Sequence, residues 1–456
     1  MSLNLVKAGL AAAFLSAIAC SAPASAPADA TSQTLGGTPS GPSAAALKAA
    51  AVPIAPGGAA YGPLLEAIGD RRFALLGEST HGTHEYYRER ALISERLVRE
   101  RGFRAIALEA DWSPMYRVNL YVRGLGSDRS AQQALSGFTD FPRWMWRNAE
   151  FRDFVERLRQ YNATLPPEQR VGVYGMDVYD LFDAADAVVA YLRTRDPQAA
   201  RRVQRHYRCF GGYQRDTAAY GAASRRKSAS CQEEAAAALA EVRRISRPAP
   251  LAEAEAHFAA LRAAASVAGA EEYFRVSYTG SLSWNVRDTH MARNMEEIAA
   301  HVGALSGSEG KAVGWAHNSH IGDARATFQA RQGELNIGQL MRQRHGAFLL
   351  GFIGFEGRTM AAPEWGATGR VHDVRPGFEG SHSKLFHEAG IGNSLLLTGA
   401  SRELKEALAR PMQQRAIGVI YRPEAERASH YFDARLSEQF DAVIFIDTMS
   451  PVTPLR

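Results

Sequence analysis

From Phe73 onward the chain repeats one pattern: a short apolar run bounded by turn-forming residues, with almost no polar alternation inside it. RFALLGE, FRAIALEAD, VGVYGMD, KAVGWAHN, AFLLGFIGF, SLLLTGA, AIGVIY and AVIFIDT are the runs. Strands that meet water on neither face read this way, so the pattern predicts a parallel or mixed sheet. Helical segments fill the intervals. In HEYYRERALISERLVRERGF, residues Tyr87, Leu92, Leu97 and Val98 fall near one stripe, and Gly102 stands where a helix end favours glycine. Strand, helix and strand in succession make the βαβ unit. The expected class is therefore α/β, with a mostly parallel mixed sheet flanked by helices.

Between Asp183 and Gly280 the strand pattern stops and the sequence turns alanine-rich. This reads as a helical lobe, residues 183–280, inserted into an α/β core of residues 59–182 and 281–456 and covering the edge of the sheet where a site would form. Pro248 and Pro250 punctuate one helix boundary within it. At the N-terminus, Lys7 precedes an apolar run from Ala8 to Ala19 and then small residues and proline, which is the anatomy of a signal peptide over residues 1–30. The run is too short to span a membrane. ADA at Ala28–Ala30 resembles a signal-peptidase site, and AIAC ending at Cys20 resembles a lipoprotein box. Export to the periplasm, or to the outer membrane as a lipoprotein held only by a lipid at Cys20, is expected. Residues 31–58, rich in Gly, Ser, Ala and Pro, then read as a flexible linker.

Export changes the reading of the cysteines. With Cys20 cleaved off or lipidated, Cys209 and Cys231 remain as an even pair in an oxidising compartment, and a disulfide between them is expected. The 456 residues carry a formal charge of +5, but acidic residues are dispersed among the arginines. No basic stripe or aromatic RNA-binding motif is present, so nucleic acid is not an expected partner.

Ligand sites in open α/β sheets form beyond the carboxyl ends of the strands. Reading each exit yields Glu78 and His81, then Glu109 and Asp111, then Asp177, then His317 and His320. A strand exit is rigid behind and open in front, so polar groups there can converge on a substrate. Gly77 and Gly82 permit close backbone approach beside the first exit. Glu78 stands three residues before His81 and is placed to orient or activate the imidazole. Arg90 is a candidate anion-binding group pointing back to the same mouth. SLSWNVRDTHMARNMEEI opens a helix on which Arg287, Asp288 or Asn294 can reach the site. The spacing of His317 and His320 invites a metal reading, yet no helical glutamate of the zinc-protease type accompanies them. Asn318 and Ser319 instead suggest a polar loop that hydrogen-bonds an oxygen. There is no G-x-S-x-G elbow, P-loop or dinucleotide fingerprint. The titratable set points to water activated by a histidine and a carboxylate, with the second histidine pair stabilising an oxyanion.

LLGESTHGTHEYYRER, FRAIALEAD, VGVYGMDVYD, NVRDTHMARN and GWAHNSHIG together resemble the erythromycin esterase family, in the family's order and over nearly everything from Tyr61 to Pro451. The resemblance implies hydrolysis of an ester, in named members a macrolactone ring, without a covalent serine intermediate. It implies His81 as general base, Glu78 and Glu109 as its supporting carboxylates, and Arg90, His317 and His320 as groups that position substrate or polarise the carbonyl. Asp177 and Arg287 are added as substrate-binding candidates. A macrolide needs a wide apolar cleft, for which Trp112, Tyr116, Tyr121, Trp144 and Trp146 are candidate linings or, equally, lobe core. No cofactor is expected. Two alternatives stand beside this: a metal-dependent hydrolase with a divalent ion on Glu78, His81, Asp177 and His317 or His320, and an exported haem, metal or small-ligand binding lipoprotein that is not an enzyme.

Overall fold

Four short apolar runs lie side by side at the centre of the molecule, and every residue in them is buried. Burial on both faces is why they are continuously apolar. The computed structural model describes residues 42–54, 56–226, 229–277 and 279–455. The leader, with the processing expected at Ala30 or Cys20, lies outside the described residues. In chain order the strands are β1 (Val52–Pro53), β2 (Phe73–Leu76), β3 (Ala105–Leu108), β4 (Gly172–Gly175), β5 (Ala312–Trp315), β6 (Phe348–Ala361), β7 (Arg370–Val374), β8 (Ser394–Leu397), β9 (Met412–Arg415), β10 (Tyr431–Ala434) and β11 (Ala442–Met449). The main sheet runs β1-β8-β11-β6-β2-β5-β3-β4, with β7 paired to β6. The six strands from β11 to β4 are parallel; β1, β8 and β7 are antiparallel additions. This is the expected α/β class.

Each face of the sheet has its own core. One is covered by the His84–Arg101, Trp112–Arg123 and Ala149–Asn162 helices. On the other, Leu75, Ala107 and Tyr174 share a cluster with Val188, Leu192, Val203, Val242 and Val267 of the helical insertion. The insertion therefore packs on a face of the sheet as a layer, and its last helix, Leu251–Val276, meets Tyr179 beyond the exit of β4 through Tyr273. That helix starts after Pro250, as the prolines predict. Cys209 and Cys231 are bonded, with Cα atoms 5.8 Å apart, and the bridge pins the turn at Arg208–Tyr213 to the start of the Gln232–Arg243 helix. Among the described residues no helix is long and apolar enough to cross a membrane.

Three expectations need correction. The linker assigned to residues 31–58 is folded over its second half: Pro42–Ala50 is a helix, Leu47 is fully buried, and β1 pairs with β8. Its small-residue composition concealed an amphipathic turn. AIGVIY forms no strand, because it crosses the open ends of β2 and β6, where Ile417 meets only Thr80 and Ile420 only Ala362. Leu92 is only partly buried, whereas Tyr87, Leu97 and Val98 enter the core as the stripe requires. Gly102 ends that helix in the left-handed region, at φ 73°.

Replacing Leu47 by alanine tests the docked N-terminal segment. The loss of a fully buried leucine costs about 2–4 kcal/mol, read as a lower midpoint in chemical unfolding; an unchanged midpoint would mean that the segment does not belong to the core.

Candidate functional site

The register places the exits of four adjacent strands level with one another: Leu76 pairs with Trp315, Trp315 with Leu108, and Leu108 with Gly175. Glu78, His317, Glu109 and Asp177 thus leave the same edge of the sheet on neighbouring strands about 4.8 Å apart. Two glycines allow the crowding. A Cβ on Gly77 would lie 2.1 Å from Asn318 Oδ1, and one on Gly82 would lie 1.9 Å from the Met360 carbonyl.

Glu78 is fully buried and divides its carboxylate between two partners. Arg90 Nη2 donates to Oε2 at 2.7 Å, and His81 Nδ1 meets Oε1 at 2.8 Å. Arg90 does not reach the mouth. Its guanidinium is wholly buried, 4.7 Å from the Tyr87 ring and 4.8 Å from Trp315, and it stands behind Glu78 as a counter-charge. Burial acts to lower the His81 pKa, but the hydrogen bond and charge of Glu78, with the charge of Glu109, outweigh it and leave the pKa above the ordinary 6.5. Because Nδ1 faces a carboxylate, Nε2 is the free end of the ring.

His317 faces His81, with ring centroids 5.1 Å apart. Its Nδ1 accepts from the Ser319 amide at 3.2 Å and lies 2.8 Å from the Ser319 hydroxyl, which assigns the proton to Nε2. That Nε2 is buried and makes no close hydrogen bond, although the Ser79 carbonyl still draws on the ring. Burial first, then the charge of His81, pushes the pKa down to about 3 against the pull of Glu109 and the Ser79 carbonyl, so the ring is a neutral donor.

The remaining exits are tied together by one arginine from the Ser281–Ser306 helix. Arg287 grips Asp177 with Nε at 2.8 Å and Nη2 at 2.7 Å, and Nη2 also donates to Glu109 at 2.7 Å. Nη1 donates to His320 Nε2 at 2.9 Å. Since an arginine can only donate, His320 Nε2 accepts and its Nδ1 carries the proton toward Asp288, at 2.9 and 3.0 Å. Trp284 stacks on His320 at 4.4 Å. Glu109 completes its shell by accepting the His317 amide at 2.8 Å. Burial acts to raise its pKa, but His320, Arg287 and His81 hold the carboxyl well below the usual range.

Glu78, His81, Glu109, Asp177, Arg287, His317 and His320 are thus brought together, with Arg90 one layer back. Their roles differ from expectation in places. Glu109 does not touch His81 and acts on it only through its charge. Asp177 and Arg287 hold each other and so are walls of the site more than free substrate ligands. Asn318 does not face an oxygen of the substrate; its amide clamps the Phe352 backbone at 2.6 and 3.2 Å. Asp111, at the start of the Trp112–Arg123 helix, lies outside the network, and burial with nearby Asp180, Asp177 and Asp140 drives its carboxyl well up. Of the aromatic candidates, Trp112, Tyr121, Trp144 and Trp146 are core. Trp112 is enclosed by Tyr116, Tyr174 and Phe258. They form no apolar cleft. Asp288 and Trp284 matter more than the sequence reading allowed, and the trace was there: residues 284, 287 and 288 share one helix face.

Fold and site define an α/β protein with buried histidine–carboxylate pairs at the carboxyl edge of a parallel sheet. The profile of the erythromycin esterase family matches residues 98–449, and the chain belongs to that family. Glu78, His81 and Arg90 precede the matched span and join the site by geometry. Among solved structures, a succinoglycan biosynthesis protein superposes with a TM-score of 0.74 at 18% identity, covering 90% of this chain and 98% of that one. A Bacillus cereus protein gives 0.74 at 19%, covering 91% and 98%. A mutant of the erythromycin esterase EreC in its open conformation gives 0.59 at 18%, covering 86% and 94%. At these identities the likeness is one of fold.

Replacing Glu78 by glutamine removes the hydrogen-bonded charge that raises His81 and leaves Arg90 uncompensated beside it. The His81 titration, followed by NMR of labelled histidine, then moves to lower pH. An unmoved titration would detach Glu78 from His81.

Proposed function

We propose that this chain is an ester hydrolase in which His81, backed by Glu78, activates water directly. The observation that carries the reading is the pairing of a basic imidazole, hydrogen-bonded to a buried carboxylate, with a second imidazole 5.1 Å away whose protonated Nε2 makes no close hydrogen bond. The first can take a proton from water, and the second can give a hydrogen bond to the oxygen that becomes negative when hydroxide adds to a carbonyl. The proton held by His81 then passes to the departing alkoxide, so water and ester become carboxylic acid and alcohol. His81 works as a base only when neutral, and its raised pKa means that activity increases with pH through a point above 6.5. Family membership supports the ester as substrate, and the macrolactone is its narrower form. EreC, one of the similar structures, is an erythromycin esterase by its description.

The mechanism is proposed to need no metal. The cation that holds Glu109, Asp177 and His320 in place is Arg287, and among the described residues no three His, Cys, Asp or Glu side chains converge as a ligand set. Hydrolysis at equal rate before and after chelator treatment, with elemental analysis of both samples, is the expected result; activity that needs the ion restored would favour the metal reading. Export, with or without a lipid at Cys20, is proposed from the leader sequence alone.

A panel of esters and lactones incubated with the protein and scanned by mass spectrometry is expected to show one product heavier by water, absent with His81→Ala. For the same substrate, His317→Ala lowers kcat by about 10²–10³-fold with little change in KM, as loss of an oxyanion donor does. Water addition at full rate in His81→Ala would remove that residue from the chemistry.

A further inference from the structure

The two longest helices, Leu251–Val276 and Ser281–Ser306, bury a polar seam between them. Gly269 brings them close, since a Cβ there would lie 2.4 Å from His290 Nδ1. Asn294 Nδ2 donates to the Met176 carbonyl at 3.0 Å and to His290 Nε2 at 2.9 Å, and Asn294 Oδ1 accepts from Arg262 Nη1 at 3.3 Å. There the chain of partners stops. Arg262 is 5% exposed, and its Nε proton meets no acceptor. One turn along the same helix face, the hydroxyl of fully buried Ser266 is also without a partner.

The charges around Arg262 do not resolve this. Exposed Glu297 attracts it without pairing, and Arg243 repels it. A buried cation without a close counter-charge is strongly unfavourable, and so is a buried donor without an acceptor. Positions four apart on a helix lie on one face, so both donors belong to the same side of the Leu251–Val276 helix. Water would satisfy the donors but leave the charge; an anion answers both.

We propose that Arg262 and Ser266 form an internal site for a small monovalent inorganic anion of the chloride class, independent of the hydrolase reading. The anion receives the Arg262 Nε and Ser266 Oγ protons and neutralises the guanidinium, fixing the seam that ends at Met176, one residue before Asp177 of the catalytic edge.

Crystals of the full-length protein soaked in sodium bromide test this directly. An anomalous peak within hydrogen-bond reach of Arg262 Nε and Ser266 Oγ is expected. In solution, the thermal midpoint rises saturably with sodium chloride over sodium gluconate at equal ionic strength. Ser266→Ala, a small change that keeps the helix, shifts half-saturation several-fold to higher chloride, and Arg262→Met removes the chloride-specific rise. Absence of bromide at that position overturns the site whatever the salt does elsewhere. A midpoint that responds alike to chloride and gluconate, in wild type and Ser266→Ala, overturns it too.

Discussion

Three carboxylates buried at one edge of a sheet cannot be packed together unless cations stand between them. Glu78, Glu109 and Asp177 are all withdrawn from water, and each unpaired charge at such depth would cost several kcal/mol. Two arginines resolve the problem in different ways. Arg90 neutralises Glu78 from behind, leaving the front of that carboxylate to hold His81. Arg287 sits in the middle and binds Glu109, Asp177 and His320 at once. The shape of the site follows from where those two guanidinium groups can reach.

This charge balance also separates two histidine environments that look alike in sequence. His81 has a carboxylate at Nδ1 and is raised; His317 has only Ser319 there and is pushed down to about 3. Neighbouring titratable groups driven apart in this way are suited to opposite tasks, one as base and the other as neutral donor. His320, held by Asp288 and Arg287, belongs to the framework that joins the Ser281–Ser306 helix to the exit of β5.

Much of this was legible in the chain. Apolar runs buried on both faces located β2, β3, β4, β5, β6, β8 and β11, and the rule that sites form beyond strand ends found Glu78, Glu109, Asp177 and His317. β7, β9 and β10 were not legible, because RVHDV has only one face covered and MQQR buries polar side chains in place of an apolar run. Distances between elements were also hidden. Nothing in the spacing of Arg90 shows that it lies behind Glu78, and nothing in Arg287 shows that one side chain spans three strand exits. Trp112, Trp144 and Trp146 could equally line a cleft or fill a core until packing placed them in the core. The folding of residues 42–54 escaped notice for a similar reason, since Leu47 is one apolar residue amid alanines.

The central claim is that solvent itself attacks the carbonyl. The most direct measurement is a single turnover of a hydrolysed ester, with enzyme in excess, in water enriched in heavy oxygen. Direct attack places one heavy oxygen in the product acid and none in the protein. An acyl group carried by the protein in the quenched reaction would contradict it, as would product acid bearing only ordinary oxygen with the label recovered in Glu78 or Glu109.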